Sequence, residues 1–330
     1  MEERPRNFLQ RHLKFFLRLG CTLLLLIFLL KSVSWQILIE QVMHLDPGAL
    51  LICVALGFYG VVISSYQWQC LLDGEHIHVD LRRLINLYQV GISFNHFLPT
   101  GMGGDVVKAY YIGKEGKNAA GSASAVVMSR VTGFFGMMLV SLPALLFWQT
   151  HLVRQIKIGY VLSCLAMISV FALAFACVKL LPRFLHFRWI TKRILPSLMK
   201  LGTALQESIR RPRTLWVATI FGMLYHIGYI LNYYTYGLLL HINVPLSFYL
   251  VVIPFVSLIA FLPFSINGYG LREGAFVLMF STAHVPIPAA MLLVLLMDVQ
   301  VLLFGLIGGG IYFLSGTRKE KTMVTVMTTL

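Results

Sequence analysis

Six charged side chains lie in otherwise apolar stretches of the chain, where they could handle a charged ligand. They are Asp105, Lys108, Arg130, Arg272, Glu273 and Asp298. A charge at membrane depth costs at least about 2.5–3.5 kcal/mol and normally pairs with another group or faces a cavity. Arginine binds phosphate through two parallel hydrogen bonds, whereas lysine acts as a point charge. The group therefore predicts a site where basic members contact a phosphate or phosphodiester and the carboxylates orient them.

A structural interpretation remains open for any single member of this group. In it, Asp105 and Glu273 are counter-ions that hold broken helices in place. Their partners would be Arg272, Lys108 or Arg130. Six buried charges are costly to keep if they only hold helices together, so we favour a substrate-handling site for the group as a whole.

Two stretches that carry these charges, residues 84–128 and 245–286, do not fit simple membrane crossings. Each begins with an apolar run and then reaches a break rich in proline and glycine. Candidate site residues in the breaks are Pro99, Gly103, Gly104, Pro263, Ser265, Gly268 and Gly270. Backbone that leaves a helix in lipid must be buried in protein or line a wet cavity. Paired broken helices therefore point to the central site of a transporter, and their exposed N–H groups favour anions.

The two breaks correspond to each other along the chain. Phe97-Leu98-Pro99 matches Phe261-Leu262-Pro263, glycines and a charge pair follow each, and Arg130 and Asp298 come later in their respective halves. This order predicts an inverted repeat in which the breaks are approached from opposite sides and meet near the bilayer midplane. We also expect Arg130, Arg272, Asp105 and Glu273 to form one connected polar network. Asn95, just before the first break, is expected to cap it or to bond across the hairpin.

Composition identifies the elements that must hold these residues. The chain has 330 residues, of which 58% are hydrophobic and 12% charged, and its mean hydropathy is +0.79. About a quarter of a soluble domain is charged, so an ordinary soluble enzyme and a disordered chain are both excluded. Apolar runs long enough to span about 30 Å of hydrocarbon predict full crossings near 16–32, 48–71, 131–149, 158–180, 214–240 and 288–314.

The predicted fold is thus an all-α polytopic membrane protein with about six crossings and two broken or re-entrant hairpins. We expect a single transmembrane domain. Its parts are a first half at about 16–149, a second half at about 158–314, a basic loop at 179–213 and a tail at 315–330. Residues 33–50 are expected to form an interfacial amphipathic helix.

The net charge of +14 could suggest a nucleic-acid partner, but its distribution does not. Nine basic side chains and one acidic side chain lie within residues 179–213, and five basic residues lie among the first 19. Basic residues beside membrane-spanning segments mark the cytoplasmic side. The pattern predicts cytoplasmic termini and a cytoplasmic 179–213 segment, with residues 33–47 and 150–157 outside.

No catalytic or metal-binding pattern is evident. The five cysteines lie in apolar stretches without ligand spacing, so we expect no disulfide and no metal. Asp105 and Asp298 lack the flanking sequences of an intramembrane aspartyl protease, and no His-Glu-x-x-His or rhomboid-like serine motif is found. An intramembrane enzyme is the least favoured interpretation, and no cofactor is expected.

The two motifs together resemble a known family. Asn95-x3-Pro99-x3-Gly103-Gly104-Asp105-x2-Lys108, Arg130-x2-Gly133 and Pro263-x-Ser265-x2-Gly268-x-Gly270-x-Arg272-Glu273 resemble the lysylphosphatidylglycerol synthase transmembrane-region family over about residues 10–316. The resemblance implies a bacterial cell (inner) membrane protein with two re-entrant hairpins and, where a function is known, lipid translocation. This chain departs from the family at Lys108, often arginine; at Ser129, often acidic; and near Asp298, where a basic residue is common.

From these observations we expect a flippase-like translocator of an anionic or amphoteric phospholipid or polyprenyl-linked lipid. Its partner would be a membrane lipid with a phosphate headgroup. The alternative is a non-transporting accessory protein of envelope lipid or glycan synthesis, partnered by a lipid-modifying enzyme or glycosyltransferase. We expect no lysyltransferase activity, because no acyl-transfer domain is present.

Overall fold

The computed structural model describes residues 45–97, 102–147, 151–184, 195–260 and 268–316. Several predictions fall outside these described residues. They are the crossing at 16–32, most of the helix at 33–50, most of the tail at 315–330, and the site candidates Pro99, Pro263 and Ser265.

The described residues form ten helices and contain no strand. In chain order they are α1 (Pro47–Gly74), α2 (Leu81–Phe97), α3 (Gly103–Glu115), α4 (Ala119–Phe147), α5 (His151–Phe184), α6 (Leu195–Ile209), α7 (Pro212–Leu239), α8 (Leu246–Ala260), α9 (Leu271–Ser281) and α10 (Ile287–Gly316). We call α2 and α3 the first hairpin, and α8 and α9 the second hairpin.

Four of these helices, α1, α4, α7 and α10, are long and apolar enough to cross a membrane. The predicted crossings at 48–71, 214–240 and 288–314 coincide with three of them. The predicted crossing at 158–180 lies within α5, where Lys157–Leu173 is a shorter apolar segment. The expected fold class, an all-α polytopic membrane protein, is confirmed.

The first predicted hairpin region, residues 84–128, extends into the helix that follows the hairpin. Helix α4 begins at Ala119, not near residue 131, because Asn118 accepts a hydrogen bond from the Gly121 N–H (2.9 Å) and starts the helix. Small residues then let α4 approach α3, and the Ser122 hydroxyl donates to the Ala109 carbonyl oxygen (3.0 Å). Because these small residues have modest hydropathy, the apolar run in the sequence begins later than the helix does. Arg130 therefore lies inside a long helix.

The basic segment at 179–213 is not a simple loop, because α6 occupies its second half. Leu205 and Ala204 of α6 are buried against the bundle. A buried carboxylate at the end of α1, Glu75, accepts a hydrogen bond from the Ser208 hydroxyl of α6 and lies 3.4 Å from the Ser124 hydroxyl of α4. Part of the basic segment is thus docked onto the membrane helices.

The two halves exchange their hairpins. Helix α2 packs against α10 of the second half, and α8 packs against α4 of the first half. Within each half, the returning helix packs against its own long helix, so α3 contacts α4 and α9 contacts α10. Each hairpin therefore bridges the two halves.

A local repeat also links the halves. His76 and His241 end α1 and α7 with left-handed backbone angles, at φ 57° and 52°. In both places the histidine N–H bonds a carbonyl oxygen three residues back and the next N–H, of Ile77 or Ile242, bonds one five residues back. Both turns have the sequence His-Ile-x-Val. The apolar runs alone did not identify this short repeat.

Candidate functional site

A cavity of about 350 Å³ lies among the membrane helices, and both halves contribute to its wall. Of the predicted site residues, Asn95, Arg130, Arg272 and Asp298 line it. The other described candidates, including Asp105, Lys108 and Glu273, stand behind these four as partners or as backbone supports. The cavity thus separates groups that can meet a ligand from groups that position them.

The first charge cluster centres on Asp105 at the start of α3. Arg130 of α4 contacts one oxygen of this carboxylate through Nη2 (2.7 Å) and Nε (2.8 Å), and Lys108 lies 2.9 Å from the other. The Lys108 side chain is only 9% exposed, whereas that of Arg130 is 41% exposed. Lys108 instead places its ammonium over the Tyr88 and Trp68 rings, 4.6 and 5.5 Å from their centroids. Arg130 is therefore the cation that this cluster presents to the cavity.

The second charge cluster centres on a cation, Arg272, at the start of α9. Its Nη2 contacts Glu273 at 2.7 Å and also contacts Asp298 of α10. Glu273 is fully buried and also accepts a hydrogen bond from the Gly270 N–H. Gly270 adopts a φ of +80°, a conformation that glycine tolerates, and this turn lets Glu273 reach back to cap α9. Two carboxylates thus share one guanidinium group.

The glycines of the first break bring the hairpin backbones together. A Cβ on Gly104 would lie 2.0 Å from the Gly91 carbonyl oxygen, so only glycine fits where α3 meets α2. Asn95 of α2 accepts a hydrogen bond from the Gly104 N–H (2.8 Å), which is the capping contact expected from the sequence. Gly103, Gly104, Gly268 and Gly270 are all buried, and none lines the cavity.

The expected single network of Arg130, Arg272, Asp105 and Glu273 is wrong. Among the described residues the ion pairs at this site form two separate clusters, one in each half. The physical reason is that neighbouring helices of one half, α3 with α4 and α9 with α10, pack together and place a carboxylate beside each arginine. The link between the hairpins is a neutral one, a hydrogen bond between the Tyr269 hydroxyl and His96 Nδ1 (2.7 Å).

An aromatic wall on α7 completes the cavity. Tyr225 and Tyr229 stack with centroids 5.9 Å apart, and both line the cavity together with Asn232. Four further polar residues of the cavity wall, Tyr88, His96, Tyr269 and Gln300, were not among those predicted from the sequence. Tyr88 and His96 lie on α2, Tyr269 lies in the turn before α9 and Gln300 lies on α10, so only the packing of these three elements reveals the group.

The cavity has the chemistry of an ion-binding site. Arg130 can donate to an anion, and Asp298 can accept from a cation. In the described part of the chain, no three His, Cys, Asp or Glu side chains are grouped as metal ligands would be.

Comparison with known proteins gives one match. The family of the lysylphosphatidylglycerol synthase TM region matches residues 15–309. No curated protein and no solved structure matches the chain.

Proposed function

The chain belongs to the lysylphosphatidylglycerol synthase TM region family, and from that premise we propose that it is a flippase-like lipid translocator. Its substrate would be an anionic or amphoteric phospholipid or a polyprenyl-linked lipid, bound through the phosphate of the headgroup. The observation that carries the proposal is that Arg130 and Arg272, one from each half, line the same cavity among membrane-spanning helices.

The size and polarity of the cavity suit a headgroup. Ligand pockets commonly measure about 300–1,000 Å³, and this one, at about 350 Å³, would hold a headgroup while the acyl chains stay in the surrounding hydrocarbon. Arg130 uses Nε and Nη2 for Asp105, which leaves its other guanidinium nitrogen for a phosphate oxygen. The proposal assigns no catalytic step and no cofactor to the chain.

The exchange of hairpins supports an inverted repeat as the basis of transport. Each hairpin spans the interface between the halves, and the repeated His-Ile turns mark equivalent helix ends. Transporters built from inverted repeats move substrate by rocking one repeat against the other around a central site. Because each hairpin contacts both halves, such a motion would change the positions of Arg130 and Arg272.

The test is leaflet exchange of a fluorescent phosphatidylglycerol in vesicles that contain the purified protein. Wild-type protein should accelerate exchange over empty vesicles, and Arg130→Gln should slow it at least about tenfold. The expected size follows because a hydrogen bond to a charged group contributes about 1.5–3 kcal/mol and about 1.4 kcal/mol is tenfold.

A matched control is available. Arg83→Gln removes an arginine that also pairs with a carboxylate, Glu115 at 2.5 Å, but on the exposed surface outside the cavity; it should exchange lipid like the wild type. Wild-type vesicles that match empty ones across several anionic and amphoteric lipids would refute the proposal. That result, with a stably co-purifying enzyme, would favour the accessory role instead.

We also propose an orientation in the bacterial cell membrane, with both termini and residues 179–213 in the cytoplasm. The basic side chains of that segment support it. Lys200 is exposed on α6, so Lys200→Cys provides a site for labelling. A membrane-impermeant thiol reagent added to intact cells should leave it unmodified. Labelling from outside would overturn the orientation.

A further inference from the structure

The two charge clusters carry opposite net charges. The cluster of Asp105, Lys108 and Arg130 has one more cation than anion, and the cluster of Arg272, Glu273 and Asp298 has one more anion than cation. With every group ionised, the six charges sum to zero. An anionic headgroup bound at Arg130 would therefore leave one negative charge uncompensated at membrane depth, where such charges are costly.

Within the second cluster, the two carboxylates are not equivalent. Glu273 is fully buried, and both of its oxygens are engaged, by Arg272 and by the Gly270 N–H. The side chain of Asp298 is 18% exposed and lines the cavity. Its Oδ1 contacts Arg272, and the Glu273 carboxylate is its second charged neighbour. Asp298 is thus the carboxylate that can exchange a proton with the cavity.

The groups that face Asp298 provide no further positive charge. Arg272 and Glu273 approach from α9, Tyr229 and Tyr233 from α7, and neutral or apolar residues line the cavity from α1. From α2, His96 lines the same cavity and bonds the Tyr269 hydroxyl. Apart from that histidine, Arg272 is the basic group on this wall, and it is already shared by two carboxylates.

The same wall has a second acceptor that lacks a donor. Asn232 is 3% exposed, donates through Nδ2 to Gln300 (3.0 Å), and leaves its Oδ1 without a partner. Gln300 follows Asp298 by two positions on α10, and Asn232, Asp298 and Gln300 all line the cavity. A buried acceptor without a partner is unfavourable, so this part of the cavity favours a ligand that donates a hydrogen bond or carries positive charge.

We propose that Asp298 is a proton-binding site and that one proton crosses with each singly charged anionic headgroup. The proton binds the Asp298 carboxylate from the water on one side, leaves it to the water on the other side, and forms no bond with the lipid. Protonation removes one of the two negative charges on Arg272 and gives the six groups a net charge of +1, which a phosphodiester neutralises. The lipid half of this inference rests on the proposed translocation; proton binding by Asp298 does not.

The charge balance makes a distinctive prediction for vesicles of phosphatidylcholine that contain a little fluorescent phosphatidylglycerol. The lipid and its proton are neutral together, so a pH gradient should drive net movement of the label and a membrane potential should not. Label should accumulate in the leaflet on the alkaline side, up to about tenfold for each pH unit, because one pH unit is about 1.4 kcal/mol per proton.

Asp298→Asn removes the proton site but keeps the shape. Label should then ignore the pH gradient and respond to the potential, because the lipid would move with its own charge. The control is Glu115→Gln, which removes an exposed carboxylate away from the cavity and should behave like the wild type. Wild-type exchange that ignores the pH gradient, or Asp298→Asn exchange that still follows it, would overturn the coupling while leaving translocation intact.

A second measurement needs no transport. Infrared difference spectra of the purified protein between neutral and acidic pH should show, beside the contribution of the exposed carboxylates, the carbonyl band of one buried carboxylic acid. Asp298→Asn should lose this band, and Glu115→Gln should keep it. If the wild type shows no such band, or if Asp298→Asn keeps it, Asp298 is not the proton site, whatever the vesicles show. Failure of lipid exchange alone would remove the proposed function and leave this result to decide proton binding. If Asp298→Asn does not fold, the wild-type gradient and the wild-type band still decide the proposal.

Discussion

The two halves of the cavity each contribute three charges, in arrangements of opposite sign. In the first half one carboxylate holds two cations, and in the second half one guanidinium group holds two carboxylates. In each cluster one member of the surplus sign, Arg130 or Asp298, faces the cavity, and in the second cluster the central Arg272 lines it as well. The comparison shows how two halves with similar layouts can present an anion-binding group and a cation-binding group to one ligand.

The surplus charges also differ in how they are accommodated. Lys108 rests its ammonium over the Tyr88 and Trp68 rings, where a cation is attracted to the ring faces. Glu273 has no such alternative and relies on Arg272 and a backbone N–H. The second cluster should therefore tolerate the loss of its central group less well than the first.

The largest effect is expected from Arg272→Ala. It leaves two carboxylates without their cation, and breaking a buried ion pair in this way costs about 3–5 kcal/mol. The thermal midpoint of the detergent-purified protein should fall sharply. The double variant Arg272→Ala, Asp298→Asn should regain part of this stability but no lipid exchange. A double variant less stable than the single one would contradict the shared-guanidinium arrangement.

Asp105→Asn should have a smaller effect, about 1.5–3 kcal/mol. Lys108 keeps its aromatic partners, and Arg130 reaches the cavity, so neither cation is stranded. The same thermal measurement ranks the two clusters directly. If Asp105→Asn destabilises the protein more than Arg272→Ala does, the aromatic support of Lys108 does not compensate for the missing carboxylate.

Gly104→Ala tests the first hairpin. The added Cβ would press on the Gly91 carbonyl oxygen and force α2 and α3 apart, at about 1–3 kcal/mol. Gly91→Ala is the matched control, since its Cβ would meet its nearest neighbours at 3.4 Å, and it should be nearly neutral. Equal melting of both variants would mean that the two backbones are not in close contact.

The smallest effect concerns the link between the hairpins. Tyr269→Phe removes the hydrogen bond to His96 but keeps the ring beside Arg272, 5.6 Å from its guanidinium carbon. We expect a loss of about 0.5–1.5 kcal/mol in unfolding experiments on the purified protein. Tyr110→Phe, outside the cavity, is the control. An unchanged Tyr269→Phe protein would show that the hairpins hold together without this bond.

Much of this architecture could be predicted from the sequence, because long apolar runs are sufficient to identify crossings and charges within them are rare enough to stand out. The beginning of α4 was missed because Ala119–Ser124 is small and weakly apolar, and such residues pack well without scoring as a membrane span. The single charge network was wrong, but the counter-ion interpretation of Asp105 and Glu273 anticipated their partners. Asp105 pairs with Lys108 and Arg130, and Glu273 pairs with Arg272. Spacing along the chain does not reveal that these pairs stay within their own halves.

His96 and Tyr269 illustrate a further limit. Each is a single polar aromatic beside a break, and neither has a motif of its own. They become a pair only because the end of α2 lies beside the turn that precedes α9, so neither segment alone predicts the contact.

The exchanged hairpins have a consequence for biogenesis. The face of α2 that packs on α10 must wait for the last described helix to be made, and ribosomes add roughly 5–20 residues per second. For a period on the order of ten seconds or more, the first hairpin would lie in the membrane before α10 has been synthesised. A chain cut between α7 and α8 would separate α2 from α10 permanently. Membrane quality control should therefore degrade each fragment made alone, and the two fragments made in the same cell should rescue each other.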